Sequence, residues 1–144
     1  MNPKAQGEKG QRIVIGELAK FNLDVAIPLS DNLPFDLIVY RDGKLFRAQV
    51  KSGSTSSTGS SGSIEFNLRT SNWYKGTSKT YCKDDCDVMI LCDYTNVYLL
   101  TCDDFSGRTS FTIRQRPSKQ NQVKNCHSHE KYILSQQRIE EVFI

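Results

Sequence analysis

The stretch PFDLIVYRDGKLFRAQVKS, residues 34–52, decides the fold. Apolar residues fill most of residues 35–40 and alternate with polar residues over 44–51, which predicts two strands. Asp42-Gly43 lies between them, and this pair is strongly favoured in the two-residue turn of a β-hairpin. We therefore expect a packed hairpin here, and the turn fixes its register.

The register of this hairpin brings polar side chains together. A two-residue turn pairs Arg41 with Lys44, so Asp36 lies directly opposite Gln49. Lys51, two residues beyond Gln49, shares the same face. The opposite face is apolar and is predicted to be the core side: Phe35, Leu37, Val39, Phe46, Ala48 and Val50. A carboxylate, an amide and an ammonium group are thus expected beside a packed core.

These three side chains predict a site for a divalent cation. Mg²⁺ prefers oxygen ligands, and the Asp36 carboxylate, the Gln49 amide oxygen and the Val50 main-chain carbonyl make a partial coordination shell. Lys51 could then orient a water molecule and stabilise charge on a phosphate. The alternative is structural: Asp36 caps a strand, and Lys51 is a solvated strand end.

The rest of the chain predicts a small α/β fold. Its 144 residues suit one domain, and no apolar run approaches the ~18 residues of a membrane helix. Periodicity predicts a helix over 3–22, strands at 25–28, 64–69, 87–93, 97–102 and 110–114, a loop over 115–130 and a helix over 135–143. Residues 52–63 contain only Ser, Gly and Thr, which predicts a flexible connector.

Charge is distributed unevenly along the chain. Residues 41–80 carry seven Lys or Arg against two acids, and residues 105–138 carry seven against one. Residues 81–104, between them, carry one Lys and six Asp. Basic blocks that converge in space favour a nucleic-acid partner. An ordinary solvated surface is the alternative.

The five cysteines, together with an N-terminus that lacks an apolar leader, predict free thiols in a reducing compartment and a cytoplasmic protein. Cys82 and Cys86, spaced C-x₃-C, leave open a zinc site with Cys126, His127 or His129. No second close pair of cysteines supports that site.

The order of residues along the chain resembles the PD-(D/E)XK nuclease superfamily. The matching pattern is Gly16-Glu17, Pro28, Pro34-Phe35-Asp36-Leu37-Ile38-Val39 and Gln49-Val50-Lys51-Ser52. In particular, it is similar to the small homing endonucleases encoded by group I introns of cyanobacteria. That likeness extends to Tyr81 with Asp84, Asp85 and Asp87, and then to Val97-Tyr98-Leu99. It covers roughly residues 8–102.

The resemblance implies a Mg²⁺-dependent phosphodiesterase that acts on double-stranded DNA, with no small-molecule cofactor. Asp36 would bind the metal ion, and Lys51 would position and activate the attacking water. Glu17 would complete the site, with Glu8 as a second choice. Gln49 stands where most of the superfamily has Glu or Asp. Some intron-encoded members resemble this chain in that respect, so Gln49 marks either a variant active site or a protein that binds DNA without cutting it.

The implied architecture is a restriction-endonuclease-like α/β core, with a mixed central sheet, an N-terminal helix and a β-rich C-terminal region. We expect a single domain, 1–144, with a catalytic core at 1–104 and a DNA-contact extension at 105–144. The candidate phosphate-binding residues are Lys75, Lys79, Arg108, Arg114, Arg116, Lys119 and Lys124. Trp73-Tyr74 could stack on a base or belong to the core.

The expected function is site-specific cleavage of duplex DNA by a homodimer or homotetramer that serves intron homing. Two alternatives stay open. One is a structure-specific nuclease of the Holliday-junction resolvase type, since a fold does not fix a substrate. The other is a non-catalytic DNA-binding protein on a nuclease scaffold.

Overall fold

The structure, a computed structural model, describes residues 2–53, 62–72, 76–115 and 127–144, and for residues 71 and 72 it describes the main chain alone. The helices are α1 (Pro3–Ala19), α2 (Cys102–Phe105), α3 (His129–Tyr132) and α4 (Gln136–Val142). The strands are β1 (Asp24–Ala26), β2 (Leu37–Arg41), β3 (Lys44–Ser52), β4 (Ser63–Asn67), β5 (Arg69–Asn72), β6 (Thr77–Thr80), β7 (Val88–Cys92), β8 (Val97–Leu100), β9 (Ser110–Arg114) and β10 (His127–Ser128). In the described ranges, no helix combines the length and apolar character that crossing a membrane requires.

A mixed five-stranded sheet organises the fold, in the order β1-β2-β3-β7-β8. Strands β3 and β7 run parallel, and the other neighbours in this sheet are antiparallel. The β2–β3 hairpin has the predicted register, with Arg41 opposite Lys44 and Leu37 opposite Ala48. Its turn has positive φ at both Asp42 (52°) and Gly43 (80°), as a type I′ turn requires. The predicted α/β class with a mixed sheet and an N-terminal helix is confirmed.

Helix α1 is shorter than predicted because its C-terminal end is closed by a left-handed residue. Asn22 has φ 60°. The N–H of Leu23 donates to the carbonyl of Leu18 at 3.2 Å, and that of Asn22 to Ala19 at 3.0 Å. This pair of bonds is the Schellman arrangement that ends many helices. At the other end, the Asn2 side chain accepts from the N–H of Ala5.

One face of the central sheet is covered by helices α1 and α4. The residues buried there come from both layers: Val14, Leu18, Leu23, Leu37, Val39, Phe46, Ala48, Val50, Val88, Ile90, Cys92, Val97, Leu99, Ile139, Val142 and Phe143. The predicted core face of the hairpin is therefore right for five of its six residues. Phe35 was assigned there wrongly: it lies before β2 begins and packs against the second core.

The second core lies on the other face of the sheet. Strands β4 and β9, paired antiparallel, belong to a second, three-stranded sheet, and their buried side chains join those of β7 and β8. The hairpin end of this face stays open, since Tyr40 and Leu45 are 46% and 67% exposed. Asp36, Gln49 and Lys51 therefore lie on the side of the sheet that β4 and β9 only partly cover.

Several elements differ from the prediction. The strand expected at 64–69 ends at Asn67, and a polar hairpin, β5–β6, follows it. The strand expected at 97–102 ends at Leu100, because Thr101 and Asp104 form the capping box that begins α2. The loop expected over 115–130 is wrong at its end, where β10 and α3 occur. The predicted connector falls mostly on residues 54–61, which lie outside the described residues, as do Trp73 and Tyr74.

Candidate active site

Asp36 is hydrogen-bonded to the main chain of β3 through both its N–H and its carboxylate. Its N–H donates to the carbonyl of Ala48 (2.9 Å), and its Oδ2 accepts from the N–H of Val50 (3.1 Å). Because β2 begins only at Leu37, the Asp36 carboxylate takes the place of a main-chain carbonyl as the acceptor for the Val50 N–H. Burial raises the pKa of Asp36 above its ordinary value, and this effect exceeds the opposing effects of the Val50 N–H and the Lys51 charge.

Gln49 lies against the next peptide group, the one that joins Val50 to Lys51. Its Nε2 is 3.5 Å from the Val50 carbonyl oxygen, a long contact that leaves the amide free to turn its oxygen toward a cation. The Asp36 carboxylate, the Gln49 amide oxygen and the Val50 carbonyl could supply three hard oxygen donors to a divalent cation, and waters or phosphate oxygens would complete its shell. Within the described ranges, no cluster of three or more His, Cys, Asp or Glu could hold a metal ion.

Lys51 points its ammonium group at two partners from one segment. Nζ donates to the carbonyl of Arg69 (3.0 Å) and lies over the ring of Tyr81, 5.1 Å from its centroid. Burial lowers the pKa of Lys51, and the charge of Asp36 partly offsets this effect. The residue sequence that predicted the hairpin thus brings Asp36, Gln49 and Lys51 together.

Arg47 joins the strand of the site to the start of β7. Its guanidinium bonds both carboxylate oxygens of Asp87 (3.0 and 3.2 Å) and the carbonyls of Lys83 and Asp84. It also lies 6.0 Å from the centre of the Phe35 ring. Because Phe35 directly precedes Asp36, Arg47 connects β3 to the segment that carries Asp36. Its odd-numbered position on β3, shared with Gln49 and Lys51, was the signal that could have identified it.

Glu17, predicted to complete the site, pairs with Lys20 at 2.9 Å. Among the described residues, no hydrogen bond or ion pair joins it directly to Asp36. The part of α1 next to the site is Gly10: a Cβ at that position would be 1.9 Å from the Ser52 hydroxyl. At 1.5 Å per residue, Glu17 lies about 10 Å further along the helix axis, whereas Glu8 lies about 3 Å from Gly10 along that axis.

The candidate DNA contacts are only partly described. Lys79 pairs with Asp85 at 3.1 Å. Arg108 lies 3.3 Å from His127 Nε2 and over the ring of Phe111, and Arg114 lies on β9 opposite Ser63. The other four, Lys75, Arg116, Lys119 and Lys124, lie outside the described residues.

The four cysteines in the described ranges are free, as predicted: Cys82, Cys86, Cys92 and Cys102. Burial raises the pKa of Cys86 to about 12, so its thiol is unreactive near neutral pH. Cys126, the fifth, lies outside the described residues. The described residues, which include Cys82, Cys86, His127 and His129, contain no group of three or more His, Cys, Asp or Glu that could hold a metal ion.

Tyr81, part of the pattern that resembles the homing endonucleases, is a neighbour of the site for which no role was predicted. It is 4% exposed and belongs to the second core. The charge of Asp36 contributes, after burial, to a raised Tyr81 pKa, so the two groups are within electrostatic reach. Its contact with Lys51 depends on the path of β5–β6, and the polar sequence of that hairpin did not predict the path.

Known proteins resemble this chain in sequence and in fold. Protein 5.3 of Escherichia phage T7 is 26% identical over 111 residues, which cover 76% of this chain and 89% of that protein. A solved structure, the bacterial homing endonuclease I-Ssp6803I, aligns with a TM-score of 0.74 at 22% identity and covers 92% of this chain and 89% of that one. This alignment shows that the two chains share a fold. The PD-(D/E)XK endonuclease family model matches residues 1–135, and the chain therefore belongs to the PD-(D/E)XK endonuclease family.

Proposed function

We propose that the chain is a site-specific endonuclease that hydrolyses phosphodiester bonds of double-stranded DNA with Mg²⁺, and that it serves the homing of a group I intron. The observation that carries the proposal is the grouping of Asp36, Gln49 and Lys51 around the main chain of Val50. Family membership supports the nuclease class. The shared fold with a protein described as a homing endonuclease prompts the finer assignment.

The oxygens of Asp36, Gln49 and Val50 would hold the metal ion. When bound, Mg²⁺ would supply charge that neutralises the phosphate and acidifies a water molecule. The chain's part is to hold those oxygens in place. The Val50 N–H fixes the Asp36 carboxylate, and Arg47 fixes the strands on either side.

Lys51 acts on the reacting groups themselves. Its ammonium donates hydrogen bonds to the attacking water and to a phosphate oxygen, so that the water is oriented and the growing negative charge is stabilised. The water oxygen forms a bond to phosphorus, and the bond from phosphorus to a sugar oxygen breaks. One proton leaves the water for solvent, and the departing sugar oxygen takes up a proton.

The remaining basic residues would hold the duplex. We propose that the chain is one domain, with a core at 1–104 and a DNA-contact extension at 105–144 to which Arg108, Arg114, Arg116, Lys119 and Lys124 belong. Lys75 and Lys79 would contact the same backbone from the core side. A homodimer or homotetramer in the cytoplasm would offer one site to each strand.

The test is cleavage of a mixed pool of duplex DNA and branched junctions with Mg²⁺. We compare the wild type with Asp36→Ala and Lys51→Met. Defined duplex fragments should appear with the wild type, and Lys51→Met should slow their formation by about 10²- to 10³-fold. Loss of the metal-binding carboxylate in Asp36→Ala should abolish them.

Two matched controls come from the turn of the same hairpin. Asp42→Asn changes an acid that is 81% exposed and keeps a residue that tolerates positive φ. Lys44→Met removes an exposed lysine at the far end of β3. Both should cut like the wild type. Cleavage of junctions alone would favour the resolvase type, and binding without cleavage under any divalent metal would identify a DNA-binding protein.

Non-catalytic binding is the second candidate, and one observation favours it. Asp36 is the single carboxylate among the three grouped side chains, and an amide adds no charge to hold a cation. An acid of α1 could supply that charge, so Glu8→Gln and Glu17→Gln decide which helix position takes part. A loss of more than about tenfold in cleavage rate would show that the substituted glutamate supplies charge to the metal site. If Glu17→Gln had no effect, Glu17 would act only in its ion pair with Lys20.

A further inference from the structure

A lysine that acts on a reacting water must be held, because its four-carbon stem is flexible and its ammonium is strongly hydrated. In this chain, two groups hold the Lys51 ammonium: the Arg69 carbonyl at 3.0 Å and the Tyr81 ring at 5.1 Å. Both come from the segment that forms the β5–β6 hairpin and the residue after it. The strand that carries Lys51 does not position the ammonium by itself.

Tyr81 is a rigid support for this ammonium. Its side chain is 4% exposed and belongs to the second core, which also contains Leu68, Cys86 and Met89. Its carbonyl accepts from the N–H of Gly107 at 3.0 Å, which fixes the main chain at that point. A ring held in this way keeps its face in one place, and an aromatic face attracts a cation within about 6 Å of its centre.

The phenol itself is unsuited to moving protons. Burial, followed by the charge of Asp36, raises the pKa of Tyr81 above its ordinary value, so the group stays neutral at neutral pH. It therefore contributes an uncharged ring face to the site.

We propose that Tyr81 is a positioning residue of this site: its ring, with the carbonyl of Arg69, sets where the Lys51 ammonium stands beside Asp36. The inference rests on the proposed function for its catalytic consequence. It extends that function by assigning a role to a residue outside the strand motif. It also makes the placement of Lys51 depend on the β5–β6 hairpin, which carries the candidate DNA contact Lys79.

Two substitutions separate the ring from its hydroxyl. Tyr81→Phe keeps the ring and should leave kcat within about threefold of the wild type. Tyr81→Leu removes the ring and should lower kcat by about 10- to 100-fold, the cost of a misplaced catalytic group. The dissociation constant for duplex DNA, measured with Ca²⁺ in place of Mg²⁺, should stay within about twofold in both variants. Tyr81→Met, with a flexible side chain that fills gaps, replaces Tyr81→Leu if the latter does not fold.

Tyr98→Leu is the matched control. Tyr98 is a fully buried tyrosine of the same core, and its strand is separated from β3 by β7. This variant should lose at least as much thermal stability as Tyr81→Leu and yet keep its kcat below its melting temperature. If both tyrosines lowered kcat equally, Tyr81 would be an ordinary core residue.

An NMR signal gives a readout that needs no cleavage. With ¹³C-labelled lysine, the ε-methylene protons of Lys51, assigned with Lys51→Met, should be shifted upfield by the Tyr81 ring. The shift should persist in Tyr81→Phe and Tyr98→Leu and vanish in Tyr81→Leu. An unchanged Lys51 signal and an unchanged kcat in Tyr81→Leu would overturn the inference. If the wild type cut nothing, the proposed function would fail, and the NMR shift alone would then decide whether Tyr81 holds Lys51.

Discussion

Val50 gathers the site through its main chain. Its N–H binds Asp36, and its carbonyl faces Gln49. Strand alternation predicted which side chains share the face, because Asp42-Gly43 fixes the register. It could not predict that the Asp36 side chain would accept from the Val50 N–H, since that depends on where β2 begins. The half-buried carboxylate that results has consequences for stability.

Asp36→Asn should stabilise the protein at pH 8 in the presence of EDTA. Burial raises the folded-state pKa of Asp36, so the folded protein holds this proton more tightly than the unfolded chain does. The ionised carboxylate therefore lowers stability above its folded pKa, and this penalty fades as the pH falls to about 4, the ordinary value for Asp. Asn can still accept from the Val50 N–H.

Thermal melts of Asp36→Asn across this pH range check the sign. The variant should melt higher than the wild type at pH 8, and the difference should shrink at pH 4. Asp42→Asn, at an exposed turn position, should show no such difference. A variant that melted lower than the wild type at pH 8 would contradict the raised pKa.

Gln49→Glu should exchange stability without metal for stronger metal binding. A second carboxylate near Asp36 and the Val50 carbonyl adds repulsion, so the melting temperature in EDTA should fall. The same charge strengthens Mg²⁺ binding. In 10 mM Mg²⁺, each tenfold gain in affinity adds about 1.4 kcal/mol to the free energy of unfolding by mass action, so the melting temperature should rise. Gln137→Glu, on the exposed side of α4, should leave the Mg²⁺ gain unchanged. An equal gain in Gln49→Glu and the wild type would remove Gln49 from the metal site.

At the scale of elements, the approach of α1 to β3 fixes the end of the site strand. Gly10 is buried, and a Cβ there would be 1.9 Å from the Ser52 hydroxyl and 3.1 Å from its Cβ. Gly10 lies within the helix predicted over 3–22, and nothing in the periodicity of that segment predicts this contact. A glycine is required there because α1 packs closely against Ser52, the residue after Lys51.

Gly10→Ala should therefore destabilise the protein by about 1–3 kcal/mol, the usual cost of overpacking, even though alanine favours helix. Ser52→Gly removes the atoms in the way, so the double variant Gly10→Ala/Ser52→Gly should recover more stability than the two single effects predict when added. Urea unfolding of the four proteins gives the coupling. Gly16→Ala, where a new Cβ meets nothing within 4 Å, is the control and should stabilise. Additive effects at positions 10 and 52 would show that the helix shifts freely.

Elements whose sequences are polar or short were the ones that prediction missed. Strands β5 and β6 contain no apolar alternation, and α2 and α3 span four residues each. Their positions depend on partners distant in sequence, such as Lys51 for the carbonyl of Arg69. Local periodicity carries no signal for such contacts. The strand motif could thus be predicted, whereas the groups that position the Lys51 ammonium could not.

At the scale of the whole molecule, the acidic block at 81–104 is largely used inside the fold. Four of its acids bind described partners: Asp85 with Lys79, Asp87 with Arg47, Asp93 with the N–H groups of Thr95 and Asn96, and Asp104 with Arg138. Charge counting along the sequence predicted an acidic segment between basic ones. In the structure, these acids tie segments together, so the acidic block does not stand as a separate surface.

Arg138 contacts residues of both cores. It is 5% exposed, and its guanidinium bonds the Leu99 carbonyl twice, Asp104 at 2.9 Å and Glu141 at 3.0 Å. Leu99 belongs to the first core, whereas Tyr132, whose ring lies 5.1 Å from the guanidinium, belongs to the second. One side chain therefore fastens α4 to the edge strand β8 and to α2.

Arg138→Ala should lower the free energy of unfolding by about 3–5 kcal/mol, because it leaves Asp104 without its buried partner and the Leu99 carbonyl without its donors. Urea unfolding measures the loss, and an unchanged m-value would show that both cores still unfold as one unit. Arg12→Ala, at an exposed position of α1, should change stability by less than about 0.5 kcal/mol. A loss below 1 kcal/mol for Arg138→Ala would mean that hydrophobic packing alone joins the cores. A biphasic curve would mean that Arg138 is what makes the molecule unfold cooperatively.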